Sequence, residues 1–283
     1  MDRIQAAIAK ARAARLAVVA EAAQAEAKPA PQASDITDPP VTTRTNWRAL
    51  RQVEIDPRVL AASRIVTREP GPKTGPFDVL RTRVTQQMKA NNWHRLGITS
   101  PTAECGKSTV ALNLAFSLAR QADLRIVVVD LDLRRPSLAR MLKLGDGQQI
   151  SDVLEGKAEL ADQMVRVGDN LAFATAQHAV RTPAELLQGP RIEALLSRID
   201  EDYAPDIVIF DLPPIMVSDD AIGFLPHADC ALMIAAAEQS TIKQVDTCEQ
   251  ELARQTNVLG VVLNKCDHPG DGYGYGYNYG TYG

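Results

Sequence analysis

No stretch of the 283 residues approaches the roughly 18 uninterrupted apolar positions a membrane-spanning helix needs. The first twenty residues are basic, but Lys10, Arg12 and Arg15 interrupt any apolar stretch. A cleaved signal peptide is therefore not expected, and the chain reads as cytosolic. Cysteine is sparse. Cys105, Cys230, Cys248 and Cys266 lie far apart with no C-x-x-C pair, which argues against a zinc ribbon or a disulfide framework and fits a reducing compartment. A basic excess is also missing. Lys and Arg total 31 against 35 Asp and Glu, for a net charge of −4, so composition gives no support for nucleic-acid binding. Aromatic residues are only 5% of the chain, and their placement is uneven. Of six tyrosines, five (Tyr273, Tyr275, Tyr277, Tyr279 and Tyr282) fall in the last eleven residues, separated by Gly, Asn and Thr without a charge.

At about 100–200 residues per domain, the length allows one large domain or two small ones. Residues 1–28 are alanine-rich and helical by propensity. Ile4, Ile8, Ala11, Leu16 and Val19 give them a thin apolar stripe, better suited to a weak helix docking on its own domain than to a membrane-surface helix. Residues 29–46, with Pro29, Pro31, Pro39 and Pro40, read as a linker. Residues 47–268 form the main domain. Residues 269–283 make a glycine-rich tail that cannot bury enough surface to offset its backbone entropy, so it is expected to be disordered and accessible.

The main domain opens with an entry segment to residue 94, including a helical pattern from Pro76 to Met88. From Arg95 onward, short apolar runs alternate with helical stretches. The runs are Leu96–Ile98, Arg125–Val129, Leu171–Ala174, Asp206–Phe210, Ala231–Ala235 and Val258–Leu263, and the helices are Lys107–Gln121, Ala221–Leu225 and Thr241–Gln255. Such alternation predicts an α/β fold with a mainly parallel sheet covered on both faces. Ligands in these sheets sit at the carboxyl ends of the strands, so the residues that close each run matter most.

The first run leads into Ala103-Glu104-Cys105-Gly106-Lys107-Ser108-Thr109 and then a helix. Strand, loop and helix with Gly-Lys-Ser at the helix start describe a phosphate loop. Backbone N–H groups and the helix dipole face the phosphates, Lys107 reaches the β/γ-phosphates, and the Ser108 hydroxyl can ligate Mg²⁺. The strict pattern fails at its first glycine, where Pro101 stands. The second run ends in Asp130-Leu131-Asp132-Leu133-Arg134. Two carboxylates two residues apart at a strand end share a side and can hold Mg²⁺ or accept a hydroxyl proton, while Arg134 can pair with phosphate or carboxylate. The fourth run ends in Asp211-Leu212-Pro213-Pro214, a Walker-B-type carboxylate for Mg²⁺. The last run ends in Asn264-Lys265, whose amide can read an adenine edge. Asp219 and Asp220 read as helix caps.

Taken together, these motifs resemble the bacterial tyrosine kinases of capsule and exopolysaccharide loci, in their stand-alone cytoplasmic form, over about residues 60–283. The Walker A loop from Ser100 to Thr109, the D-x-D-x-R of Asp130, Asp132 and Arg134, Asp211 with Pro213-Pro214, the segment Pro183–Leu187, the Asn264-Lys265 ending and the tyrosine tail carry the resemblance. It implies a P-loop NTPase fold of the deviant-Walker, MinD/ParA-like kind. It also implies an ATP- and Mg²⁺-dependent tyrosine autokinase that modifies Tyr273, Tyr275, Tyr277, Tyr279 and Tyr282 and so regulates polymer synthesis and export. The implied partners are a transmembrane polysaccharide co-polymerase that activates the kinase and recruits it to the inner face of the membrane, a cognate tyrosine phosphatase, and further copies of the chain engaged through the tail.

Within that reading, residues 103–109, Arg134 and Asn264 bind nucleotide. Lys107 stabilises the transferred phosphoryl group, Ser108, Asp132 and Asp211 organise Mg²⁺, and Asp130 accepts the tyrosine proton. Two departures stand out. The loop reads Ala103-Glu104-Cys105-Gly106-Lys107 where the family commonly has P-G-E-G-K, so a glycine is lost and Cys105 is brought in, which opens a redox-sensitive alternative. The family's E-x-x-R-x-x-R ring-assembly segment aligns with Gly75, Asp78 and Arg81, so only its last arginine survives. The rival readings are a partitioning-type ATPase switch and a nucleotide-binding regulatory subunit. The switch places a lysine where this chain has Thr102.

Overall fold

A computed structural model of the chain describes residues 46–266. The N-terminal helix, almost all of the linker and the tyrosine tail lie outside the described residues. Among the described residues, eight strands form one sheet in the order β1-β4-β5-β3-β6-β2-β7-β8. They are β1 Arg51–Gln52, β2 Arg95–Thr99, β3 Ile126–Asp130, β4 Met164–Val167, β5 Leu171–Ala174, β6 Ile207–Asp211, β7 Cys230–Ala236 and β8 Asn257–Asn264. The helices, in chain order, are α1 Pro57–Ala62, α2 Gly75–Ala90, α3 Lys107–Ala119, α4 Leu138–Leu142, α5 Ile150–Glu155, α6 Pro183–Leu187, α7 Arg191–Tyr203, α8 Asp220–Phe224 and α9 Ile242–Gln255.

Strand period 2 explains the two cores. Val127 and Val129 of β3 face one core, with Leu195, Ile199 and Leu252 from α7 and α9. Ile126 and Val128 face the other, with Val110, Leu114 and Leu118 from α3. Both faces of the central strands are buried, which is why β3 and β6 read as unbroken apolar runs.

All the pairings are parallel except β4–β5, which is antiparallel. Neither β4 nor the two-residue β1 was expected. β4 is four residues long and Arg166 interrupts its apolar pattern. That side chain is held by the Gln52 amide oxygen at 3.0 Å. Helix α7 was not expected either, although Ile192, Leu195, Leu196, Ile199 and Tyr203 recur at helical spacing and are all buried.

In α2, two of the three positions aligned to the ring-assembly segment, Asp78 and Arg81, are engaged by partners within this chain. Asp78 accepts from Arg120 at 2.7 Å and pairs with Arg81 at 3.3 Å. It also accepts from the Thr74 hydroxyl at 2.7 Å. These contacts hold its carboxyl below the ordinary range against the opposing effect of burial. Gly75 is the first residue of the helix and contributes no side chain.

Candidate nucleotide site

Strand order sets the site. β3, β6 and β2 are neighbours, and Asp130 on β3 lies opposite Asp211 on β6. Their carboxyl ends therefore converge beside the loop that joins β2 to α3. Thr99, the last residue of β2, anchors this corner by donating its hydroxyl to the Pro213 carbonyl at 2.7 Å.

The loop has the shape of an anion cradle. Glu104 and Gly106 both take positive φ, at +64° and +89°. Left-handed residues alternating with ordinary ones bend successive backbone N–H groups toward a common concavity, and α3 begins at the next residue. Gly106 is required twice over, because a Cβ built there would lie 2.2 Å from the Asn264 amide nitrogen. That nitrogen donates to the Cys105 carbonyl at 2.9 Å. Asn264, expected to read a base, here braces the loop from the end of β8.

Lys107 is buried, and its Nζ lies 2.9 Å from Asp132 Oδ2, 3.2 Å from Asp211 Oδ1 and 3.3 Å from Ser108 Oγ. Burial alone would release its proton, but the Asp211 and Asp132 charges outweigh burial and hold it on. Asp211 is fully buried, which raises its carboxyl pKa, with Lys107 opposing the rise. Its Oδ2 has no hydrogen-bond partner among the described residues. Asp130 is also fully buried. Its Oδ2 accepts from the backbone N–H of Ser137 and Leu138 at 3.1 and 3.0 Å, while its Oδ1 has no partner. Burial, with the Asp211 charge added, pushes this carboxyl up to about 8.

This donor set fits a hard divalent cation. Magnesium is usually held by one or two carboxylates and the phosphates of its nucleotide rather than by a closed protein cage. Among the described residues there is no cluster of three or more His, Cys, Asp or Glu able to hold a metal. There is an orphaned carboxylate oxygen on Asp211 beside Asp132 and the Ser108 hydroxyl. Those three side chains would hold the ion once phosphates complete its shell.

Other expected site residues are placed differently. The Arg134 guanidinium forks onto Asp220, with Nε–Oδ2 at 2.5 Å and Nη2–Oδ1 at 3.0 Å, and the Ser218 hydroxyl donates to the same carboxylate at 2.9 Å. Asp220 is therefore a buried ion-pair partner, not a helix cap, and Asp219 at the cap position makes no side-chain capping bond. Sequence spacing could not show this pairing, which spans 86 positions. Cys105 is buried, with its thiol 3.6 Å from the Thr102 hydroxyl and 3.7 Å from that of Ser240. Burial raises its pKa, but the Thr102 and Ser240 hydrogen bonds outweigh burial and leave it below its ordinary value. Ala103 and Thr109 occupy the loop and the first turn of α3. The five tail tyrosines lie outside the described residues.

The CobQ/CobB/MinD/ParA nucleotide binding domain matches residues 96–272, well over half of the chain. The chain belongs to this nucleotide-binding family. Within it, the chain is 30% identical over 205 residues to the tyrosine-protein kinase wzc of Salmonella typhimurium, covering 72% of this chain and 28% of that protein. The solved kinase domain of the Escherichia coli tyrosine kinase ETK superposes with a TM-score of 0.63 at 28% identity, covering 75% of this chain and 87% of the other. The solved chimerical protein CapA2B2 superposes with a TM-score of 0.66 at 25% identity, covering 76% and 92%. The chain spans about a quarter of the length of the curated relatives it matches. No helix among the described residues of this MinD/ParA-type domain is long and apolar enough to cross a membrane.

Proposed function

We propose that this domain is an ATP-dependent tyrosine autokinase that transfers the γ-phosphoryl group to Tyr273, Tyr275, Tyr277, Tyr279 and Tyr282. The observation that carries the reading is the position of Lys107. Its ammonium lies between Asp132 and Asp211 at the start of α3, where a transferred phosphoryl group would meet it. Phosphoryl transfer depends mainly on positioning and electrostatics. The loop of residues 103–109 cradles the phosphates, and Asn264 stiffens it from behind. Ser108, Asp132 and Asp211 would hold Mg²⁺, which would supply neutralisation of phosphate charge. Lys107 then exchanges its carboxylate partners for phosphate oxygens. Asp130 accepts the tyrosine proton on Oδ1 in its ionised state, which a cation bound beside Asp211 would favour, once the corner opens to the incoming hydroxyl.

The names of the relatives and the tyrosine cluster favour tyrosine as acceptor over water. Thr102 stands where partitioning-type ATPases place a second lysine, which counts against a simple ATPase switch. The wider role we infer is control of exopolysaccharide or capsule polymerisation and export. A transmembrane co-polymerase would activate the domain and recruit it from the cytoplasm to the membrane, and a phosphatase would reset it. Five phosphotyrosines would add roughly −7 to −10 charges to a chain at −4, enough to separate copies held together through their tails. Light scattering before and after phosphorylation reads this directly, and an unchanged mass removes the self-association claim. The chemistry is tested by mapping phosphosites by mass spectrometry after incubation with Mg·ATP, with and without a candidate adaptor tail. Phosphotyrosine in residues 273–282 that is absent from Lys107→Ala supports the reading. Nucleotide bound without any product leaves a regulatory subunit.

A further inference from the structure

The strand β8 ends the sheet, and among the described residues its outer edge has no strand partner. Natural edges are usually blunted by charge or proline. β8 reads Asn-Val-Leu-Gly-Val-Val-Leu-Asn, with neither. Its one irregularity is the register shift at Gly260. Beyond it, Val261 and Leu263 are 45% and 61% exposed, and as i, i+2 neighbours they share a face. An uncharged, apolar, open edge of eight residues is a template for another strand.

The chain itself supplies a matching one. After β8 come Pro269-Gly270 and Asp271-Gly272, two turn-forming dipeptides. Then Tyr273, Tyr275, Tyr277 and Tyr279 alternate with Gly274, Gly276, Asn278 and Gly280. Spacing of two puts all four rings on one face of an extended strand and leaves the other face nearly bare. Residues 273–280 are as many as β8 contains. A composition too poor to fold alone can still order on an existing edge, where backbone hydrogen bonds and one packed face are provided.

We propose that the unphosphorylated tail of the same chain folds back and pairs antiparallel with β8, in the register that sets Tyr273 opposite Leu263 and Tyr275 opposite Val261. Cross-strand aromatic–aliphatic pairs of this kind each contribute roughly 0.2–1 kcal/mol, and the short connection keeps the tail at about millimolar effective concentration. The pairing holds the tyrosines in an ordered strand, from which they must be released before they can meet the γ-phosphate. Phosphorylation would end it, because neighbouring rings on one face stand about 7 Å apart and each phosphate brings about −1.5 to −2 charges. The docking needs no catalysis. Only its consequence for tyrosine supply rests on the kinase reading.

The test is amide hydrogen exchange on the full chain without nucleotide, so a failed kinase reading cannot affect it. Tyr273→Pro/Tyr275→Pro removes the two tail N–H groups that this register aims at Leu263 and Val261, the β8 residues whose backbone faces away from β7. The expected result is that residues 259–263 exchange at least about tenfold faster in this variant than in the wild type, at every protein concentration. Val261→Lys/Leu263→Lys, checked for intact fold by circular dichroism, is expected to speed exchange in the tail itself. Equal β8 rates in wild type and the proline variant would overturn the proposal. Protection that grows with protein concentration would also overturn it, by assigning the edge to a second copy's tail.

Discussion

Asn264 and Gly106 meet across the sheet: the amide of one fills the space where a Cβ on the other would stand, 2.2 Å away. The same amide holds the Cys105 carbonyl. Gly106→Ala should therefore do more than strain a residue at φ +89°. It should push the brace off the loop and weaken nucleotide binding by about tenfold or more, one such factor being about 1.4 kcal/mol. Calorimetric titration with Mg·ATP and Mg·ADP checks this.

Asn264→Ala separates two roles for that amide. As a loop brace it should lower affinity for ATP and GTP by the same factor, worth about 0.5–1.5 kcal/mol for one hydrogen bond. As a base reader it would change the ATP-to-GTP ratio. Parallel titrations with the two nucleotides decide between them, and equal losses are expected.

Asp130 makes stability depend on pH. Its folded-state pKa is raised from the ordinary 3.8 to about 8, so in this interval the native state binds the proton more tightly than the unfolded chain. Stability from this group is fully present below about pH 4 and is lost as pH rises through 8. Asp130→Asn keeps an acceptor for Ser137 and Leu138 and carries no charge. It should melt higher than wild type at pH 8, by the equivalent of about 1 kcal/mol or more, with the gap closing at pH 4–5. Thermal melts without nucleotide across this range are the check.

Removing Lys107 leaves Asp132 and Asp211 buried without their cation. Breaking a buried pair by deleting one partner commonly costs about 3–5 kcal/mol. Lys107→Met should accordingly destabilise the nucleotide-free protein in urea, and adding Asp211→Asn should recover a substantial part. Additive losses in the double variant would show that the pair is not coupled.

Arg134 is half exposed while Asp220 is buried, so their forked pair should contribute only about 1 kcal/mol. A double-mutant cycle on Arg134→Ala and Asp220→Ala, read by urea unfolding without nucleotide, should show this coupling. An effect of Arg134→Ala confined to ATP affinity would mean that the arginine leaves Asp220 for phosphate.

Five of the six apolar runs were legible because their strands are buried, leaving no polar alternation to blur them, whereas the sixth, in the edge strand β8, was legible from its Val and Leu content alone. The corner was legible for a related reason, since Lys107 opens α3, Asp211 closes β6 and Asp132 follows the end of β3 by two residues. What local patterns could not carry were partners distant in the chain. Arg134, open in the sequence to phosphate or carboxylate, gains a named partner only when the fold brings Asp220 beside it. The contact from the Asn264 amide to the Cys105 carbonyl spans 159 positions, and no local pattern carries it. β4 escaped notice because four residues interrupted by an arginine carry too little periodicity, whereas α7 showed its full helical spacing and is the element a periodicity search should recover.

The central claim concerns where the γ-phosphoryl group goes. Single-turnover reaction of the full chain with γ-labelled Mg·ATP, in the presence of an activating adaptor tail, follows the label itself. The account predicts label on Tyr273, Tyr275, Tyr277, Tyr279 or Tyr282 appearing at the rate ATP is consumed, and none with Lys107→Ala. Label recovered as free phosphate while the tyrosines stay unmodified would contradict it and identify the domain as an ATPase switch.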